Sequence, residues 1–226
     1  MRLAGFLVVA LSGLLYPGLL TGAAKIGQPG PITLDSLQRV LDAKRSGRPV
    51  PAYYRTMLAG YNFHWQIELG KHSRLVVISR NLGGSLLAFR SDGSLLARTE
   101  AGEITWLQLF DFDEDGQAEV ILEEIDGRGT GILLKSFHIY RVADGAIRQL
   151  WDGLSYQRKL LPSGQDGSQV FSLLRGFVRC EPSGGGSLHT RLFHFTERVT
   201  PRGSQMVSKR AYTFSRGRFH NVVWTE

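Results

Sequence analysis

Residues 111–119 concentrate the side chains best suited to binding a cation. Acidic residues stand at positions 1, 3, 5 and 9 of this window, namely Asp111, Asp113, Asp115 and Glu119. Carboxylates at this density repel one another unless they are fully solvated or a cation lies between them. Gly116 at position 6 permits a sharp turn, and the backbone carbonyl of Gln117 can add an oxygen ligand. Because an all-oxygen ligand set favours calcium or magnesium over zinc or copper, the spacing predicts a site for one Ca²⁺.

The residues on either side decide which kind of calcium loop this is. An EF-hand requires flanking helices and a glutamate at position 12, where this chain has Leu122. Residues 104–110 and 118–122 are instead rich in β-branched and aromatic residues, which is typical of strands. The loop is therefore predicted to join two strands. An acidic, solvated hairpin turn that binds nothing specific is the alternative.

Residues 107–124, LQLFDFDEDGQAEVILEE, resemble the calcium-binding hairpin of FG-GAP/VCBS-type repeats, the blades of integrin-like β-propellers. The motif of these repeats is DxDxDGxx followed by Asp or Glu. The resemblance implies that four side chains and one backbone carbonyl bind the ion, those of Asp111, Asp113, Asp115 and Glu119 and that of Gln117. The resemblance covers one repeat. The FG and GAP signatures are absent, and the chain has no second DxDxDG.

The N-terminus predicts export. Residues 1–24 combine Arg2, an apolar run and small residues before a cut after Ala23 or Ala24, as in a secretory signal peptide. An uncleaved membrane anchor is the alternative. Residues 25–32, rich in Gly and Pro, are predicted to be a linker, and residues 33–226 a single β-rich domain. We expect a periplasmic or extracellular protein with no stable membrane span after cleavage.

The pattern within residues 33–226 predicts an all-β fold with one short N-terminal helix at residues 33–46. Apolar residues recur there at helical spacing, and about thirteen strand-like runs follow from residue 61. Asp-Gly pairs, which favour hairpin turns, separate many of these runs. They are Asp92-Gly93, Asp115-Gly116, Asp126-Gly127, Asp144-Gly145, Asp152-Gly153 and Asp166-Gly167. We predict an antiparallel meander arranged as a partial propeller, a barrel or a sandwich.

Charge and cysteine content give expectations about the partners and the core of the protein. Residues 174–226 carry 9 basic and 3 acidic residues, with aromatic residues between them. Alternation along strands predicts aromatic side chains in the core and cations on the solvent face. An exported protein rarely meets nucleic acid, so we predict no such partner. Cys180, the only cysteine, cannot form an internal disulfide and is predicted to be a small apolar core residue.

The sequence lacks the common catalytic motifs, among them GxSxG, HExxH and GxxxxGK. Two carboxylate pairs merit attention for glycoside hydrolysis, Glu123 with Glu124 and Glu68 with Asp126. Adjacent residues of a strand face opposite sides, so Glu123 and Glu124 are not expected to act together. We predict a non-catalytic module that interacts with protein or glycan at the cell envelope. The alternative is a secreted polysaccharide hydrolase with a structural calcium ion.

Overall fold

Two short helices and twelve antiparallel strands make up the part of the chain that the structure describes. We analysed a computed structural model that describes residues 32–69, 73–161, 171–181, 190–200 and 202–222. The predicted signal peptide (1–24) and all of the predicted linker (25–32) except Ile32 lie outside these residues. The elements are α1 (Leu34–Arg45), α2 (Ala52–Met57), β1 (Tyr61–Leu69), β2 (Ser73–Arg80), β3 (Gly83–Arg90), β4 (Leu95–Ala101), β5 (Glu103–Phe110), β6 (Glu119–Gly129), β7 (Ile132–Ala143), β8 (Ala146–Leu160), β9 (Phe171–Glu181), β10 (Arg191–Thr200), β11 (Gly203–Ser215) and β12 (Arg218–Val222).

The strands form two meanders. The first sheet has the order β1-β2-β3-β4, and the second has the order β12-β11-β10-β9-β8-β7-β6-β5. The chain passes from one sheet to the other through a single residue, Gly102, between β4 and β5. A Cβ atom at this position would lie 2.6 Å from the carbonyl oxygen of Ile125. Only glycine therefore fits where the two sheets meet.

Helix α1 confirms the helix predicted at residues 33–46. Thr33 caps it, because its side chain accepts a hydrogen bond from the backbone N–H of Ser36 while the Ser36 side chain accepts one from the N–H of Thr33. Its apolar stripe packs on one face of the first sheet together with α2. Helix α2 was not predicted, since six residues after Pro51 are too few to show helical periodicity.

Two further apolar clusters cover strands β6 and β7. Leu122 and Tyr140 pack against the first sheet, which is thus covered by helices on one face and by the second sheet on the other. Ile121 and Ile139 point the opposite way and pack against Leu192 of β10 and other residues of β8 and β11. The second sheet therefore bends so that its later strands return towards β6 and β7.

The predicted all-β, antiparallel fold with a short helix is confirmed, and its barrel variant is wrong. Strands β5 and β12 are the two edges of the second sheet, which does not close on itself. Two stacked antiparallel sheets correspond most closely to the predicted sandwich. Among the described residues, no helix has the length and hydrophobicity needed to cross a membrane.

The Asp-Gly pairs differ in the local structure that they form. Asp92-Gly93 and Asp144-Gly145 form turns as predicted, and Asp115-Gly116 lies in the β5–β6 loop, whereas Asp166-Gly167 lies outside the described residues. Asp126-Gly127 falls at a bulge inside β6. Asp152-Gly153 lies within β8, so the strand-like runs predicted before and after this pair form a single strand. A Cβ atom at Gly153 would lie 2.4 Å from the Trp151 ring, so this glycine serves close packing rather than a turn.

The basic C-terminal strands depart from the predicted alternation. Phe214 is buried, as expected, but Phe177 of β9 is 48% exposed. It lies opposite Phe195 of β10, which in turn lies opposite Lys209. Aromatic and cationic side chains therefore share one face of these strands, and part of that face is exposed.

Leu122→Ala tests how much the contact between the sheets contributes to the stability of the fold. Leu122 is fully buried, so we expect the free energy of unfolding in urea to fall by about 2–5 kcal/mol. Leu82→Ala is the matched control, since Leu82 is 80% exposed in a turn, and it should change stability by less than about 0.5 kcal/mol. Equal effects of the two substitutions would contradict the assigned core.

Candidate metal centre

The loop between β5 and β6 is folded around its own carboxylates. The Asp111 carboxylate accepts hydrogen bonds from the backbone N–H groups of Asp115 (3.2 Å) and Gly116 (2.9 Å). Asp115 in turn accepts one from the N–H of Gln117 at 2.7 Å. Gly116 has φ +80°, a left-handed conformation that glycine adopts without strain. The backbone conformation of Gly116 agrees with the sharp turn predicted at this position.

Three of the predicted ligands come together at this loop. One carboxylate oxygen from each of Asp111, Asp113 and Asp115 lies within 4.8 Å of the others. Two oxygens on opposite sides of a calcium ion are about 4.6–5.2 Å apart, because each Ca–O distance is about 2.3–2.6 Å. Asp113 and Asp115 are exposed and Asp111 is half-buried. The three oxygens are therefore close enough, and accessible enough, to share one divalent cation.

Glu119 has a different environment from these three aspartates. It is fully buried at the start of β6, and its carboxylate accepts a hydrogen bond from the backbone N–H of Phe112 at 2.9 Å. Burial raises the pKa of Glu119 above its ordinary value, while the Phe112 N–H and the Arg141 guanidinium oppose that rise. The Phe112 side chain packs against Phe214 and Phe219. Glu119 thus ties the base of the loop to the core.

Arg141 of β7 is the one site residue that the sequence analysis missed. Its guanidinium pairs with Glu119 and lies 2.7 Å from Asp113 and 3.8 Å from Asp115. Burial lowers the pKa of Arg141, but the hydrogen bond to Asp113 and the charge of Glu119 outweigh this and leave it raised. Val120 pairs with Tyr140 across β6 and β7, so the hairpin register could have indicated an arginine beside Glu119.

The positive charge of Arg141 does not neutralise the acidic side chains of the loop. Residues 111–119 contain five acidic side chains, those of Asp111, Asp113, Glu114, Asp115 and Glu119. Among the described residues, the ion pairs of this loop all involve the same guanidinium. One positive charge against five negative charges leaves a strongly negative loop that attracts cations.

The carboxylate pairs considered for hydrolysis do not converge on one point. Glu123 accepts hydrogen bonds from Ser155, Thr105 and Lys135. Burial tends to raise its pKa, but these donors bring the net pKa of Glu123 below its ordinary value. Burial raises the pKa of Glu124, which lies on the opposite face of β6. Because Glu123 and Glu124 lie on opposite faces of the strand, they cannot flank a single glycosidic bond.

The remaining predicted pair is also separated by its contacts. Glu68 is exposed and pairs with Arg74 at 3.3 Å, within the first sheet. Asp126 lies 3.3 Å from His138, in the second sheet. Each carboxylate therefore has its own local partner.

Cys180 is held as an unreactive thiol. It packs partly buried against the cluster that contains Leu192 and Phe214. Burial raises the pKa of the Cys180 thiol to about 12, and only the thiolate is an effective nucleophile. The predicted role of this residue as a core filler fits this environment.

Glu119→Gln should weaken the anchor of the loop. The substitution removes the charge that pairs with Arg141, so we expect the free energy of unfolding at pH 7.5 to fall by about 1.5–3 kcal/mol. Glu114→Gln is the control in the same loop, where the side chain is exposed, and should change it by less than about 0.5 kcal/mol. Urea titrations followed by tryptophan fluorescence measure both. A loss of equal size in the two variants would remove the special role of Glu119.

Alkylation by iodoacetamide tests the burial of Cys180. Because an unfolded thiol has a pKa of about 8.5, its thiolate fraction at pH 8 exceeds that of the folded protein more than about a thousandfold. We expect the folded protein to react at least about 100-fold more slowly than the protein in guanidinium chloride. Similar rates in both states would mean that the thiol is exposed and activated.

Comparisons with known proteins complete the description of the site. No protein-family model, curated protein or solved structure matches this chain. The resemblance of residues 107–124 to an FG-GAP/VCBS-type repeat stays a prediction from the motif. The function of the site has to be argued from its geometry and chemistry.

Proposed function

We propose that this protein is an exported, non-catalytic β-rich module that holds one divalent cation, calcium, in its β5–β6 loop. The observation that carries the proposal is the convergence of Asp111, Asp113 and Asp115 within 4.8 Å. A bound ion relieves the repulsion among the three carboxylates and stabilises the loop that joins two strands. Its role is structural, since it holds a hairpin rather than a reacting group.

The donor set supports calcium over other biological metals. The proposed ligands are carboxylate oxygens and the backbone carbonyl oxygen of Gln117, and calcium accepts about six to eight such oxygens in flexible geometry. Magnesium demands a nearly ideal octahedron at shorter distances, which a largely exposed loop is poorly suited to impose. Zinc and copper favour nitrogen or sulfur ligands.

Arg141 sets the expected strength of binding. Its guanidinium lies 2.7 Å from Asp113, so an ion bound by Asp113 competes with this pair. Glu119, the fourth predicted carboxylate ligand, would have to leave its pair with Arg141 to reach the ion. We therefore expect an affinity in the weak range of extracellular calcium modules, with a dissociation constant of about 0.1–1 mM.

The strand before the loop supports a role in interaction with protein or glycan at the cell envelope. Strand β5 is an edge of the second sheet, and its Trp106 and Leu109 are each 38% exposed. Exposed aromatic residues are enriched at interaction surfaces, where their large faces are covered by a partner. Calcium binding at the adjacent loop would fix the end of this strand.

Thermal unfolding of the mature protein with calcium, with magnesium and with chelator tests the proposal. At about 1 mM Ca²⁺ we expect stabilisation by about 0.4–1.4 kcal/mol, and less with magnesium. Asp113→Asn should abolish the calcium-dependent shift, because it removes one charged ligand.

Asp144→Asn is the matched control for this experiment. Asp144 also precedes a glycine in a hairpin turn and is 77% exposed, but it lies in the β7–β8 turn. This variant should keep the full calcium-dependent shift. The proposal fails if the wild-type protein shows no shift, or if the two variants respond alike.

A further inference from the structure

A second group of potential metal ligands lies in the middle of strand β6 and on the neighbouring strand β7. Glu124 and Asp126 of β6 and His138 of β7 each offer one ligand atom, and these atoms lie within 4.8 Å of one another. The group adjoins Gly102, where the chain passes between the two sheets, because the Gly102 N–H donates to Glu124 at 2.7 Å. It is separate from the aspartates of the β5–β6 loop and has a different composition.

Strand pairing explains why these three side chains meet. Leu122 of β6 lies opposite His138 of β7, which places His138 on the face that also carries Glu124. A bulge between Ile125 and Gly127 shifts the register of β6, and a bulge changes the direction in which neighbouring side chains point. Asp126 thereby reaches His138, on the same side as Glu124.

The distance between His138 and Asp126 fits two ligands of one ion as well as it fits a long hydrogen bond. His138 Nε2 lies 3.3 Å from Asp126 Oδ1, whereas a charge-assisted hydrogen bond is about 2.7–2.9 Å long. Two ligands of a tetrahedral zinc ion are about 3.3 Å apart, since each bond measures about 2.0–2.1 Å.

The other ring nitrogen of His138, Nδ1, is buried and has no hydrogen-bond partner among the described residues. A buried polar atom without a partner is rare in folded proteins. The described side chains therefore satisfy this imidazole at Nε2 and leave Nδ1 without a partner among them.

The third ligand is held in place by its neighbours. Glu124 is 3% exposed, and its second carboxylate oxygen accepts a hydrogen bond from the hydroxyl of Tyr140 at 2.9 Å. The Tyr140 ring also stacks on His138. Groups that orient metal ligands in this way raise the affinity of a site. The Asp126 side chain is 30% exposed, so the group is open to solvent on that side.

From this geometry we propose that Glu124, Asp126 and His138 bind one zinc ion, with Tyr140 as a positioning residue. One imidazole nitrogen and two carboxylate oxygens form a donor set that zinc accepts, whereas calcium prefers oxygen ligands to nitrogen. The open side at Asp126 leaves room for a water molecule as the fourth ligand. This site does not depend on the calcium loop, so either can exist without the other.

Zinc titration of tag-free, chelator-treated protein tests the proposal, with a chromophoric chelator as competitor. We expect one ion per chain, with affinity reduced about tenfold or more in Asp126→Asn, His138→Gln and Tyr140→Phe. Cobalt(II) should give the visible absorption of a four-coordinate site in the wild-type protein and lose it in His138→Gln. Circular dichroism and urea unfolding show that each variant is folded.

Two control variants separate this site from other sources of zinc binding. His220→Gln changes an exposed histidine of β12, and Asp113→Asn changes the calcium loop. Both should bind zinc as the wild-type protein does. The proposal is overturned if the wild-type protein binds zinc no more tightly than about 0.1 mM, the weak end of protein metal sites, or if Asp126→Asn and His138→Gln leave the affinity unchanged. Loss of zinc binding in Asp113→Asn alone would assign the ion to the loop instead.

Discussion

Strands β6 and β7 are covered by apolar side chains on both faces, and the rest of the structure depends on this double burial. Leu122 contacts the first sheet, while Ile121 contacts the later strands of the second sheet. A strand buried on both faces can carry charge only where a partner or solvent is within reach. Each acidic residue of these strands accordingly has a hydrogen-bond or ion-pair partner.

This arrangement explains why two different polar sites share one hairpin. At one end, Glu119 and Arg141 form a buried pair that supports an exposed acidic loop. In the middle of the hairpin, Glu124 lies where the two sheets join and accepts hydrogen bonds from Tyr140 and Gly102. Removing one partner of a buried pair is costly, so both proposed metal sites are coupled to the packing of the same two strands.

Local patterns were enough to predict the parts of the molecule that depend on neighbouring residues. The helix at residues 34–45 follows from its apolar spacing and from the cap at Thr33. The β5–β6 loop follows from the alternating aspartates and Gly116. The roles of Gly102 and Gly153 could not be predicted from local patterns. Gly102 is required because the backbone of Ile125, distant in sequence, lies close to it, and Gly153 because the Trp151 ring packs against it within β8.

The candidate site shows the same division. The three aspartates that converge were all identified from their spacing, but the pair between Glu119 and Arg141 depends on the register of two strands and joins residues 22 positions apart. The group of Glu124, Asp126 and His138 depends further on a bulge, which no short motif announces. The role of Glu119, as a ligand of the ion or as a support of the loop, can therefore be assigned only once the position of Arg141 is known.

A crystal structure grown with calcium, with its anomalous scattering recorded, tests the central claim most directly. We predict one peak among Asp111, Asp113 and Asp115, with oxygen ligands at about 2.3–2.6 Å, and the Arg141 guanidinium withdrawn from Asp113. A loop without a peak, in which Arg141 stays paired with Asp113 at millimolar calcium, would contradict the account.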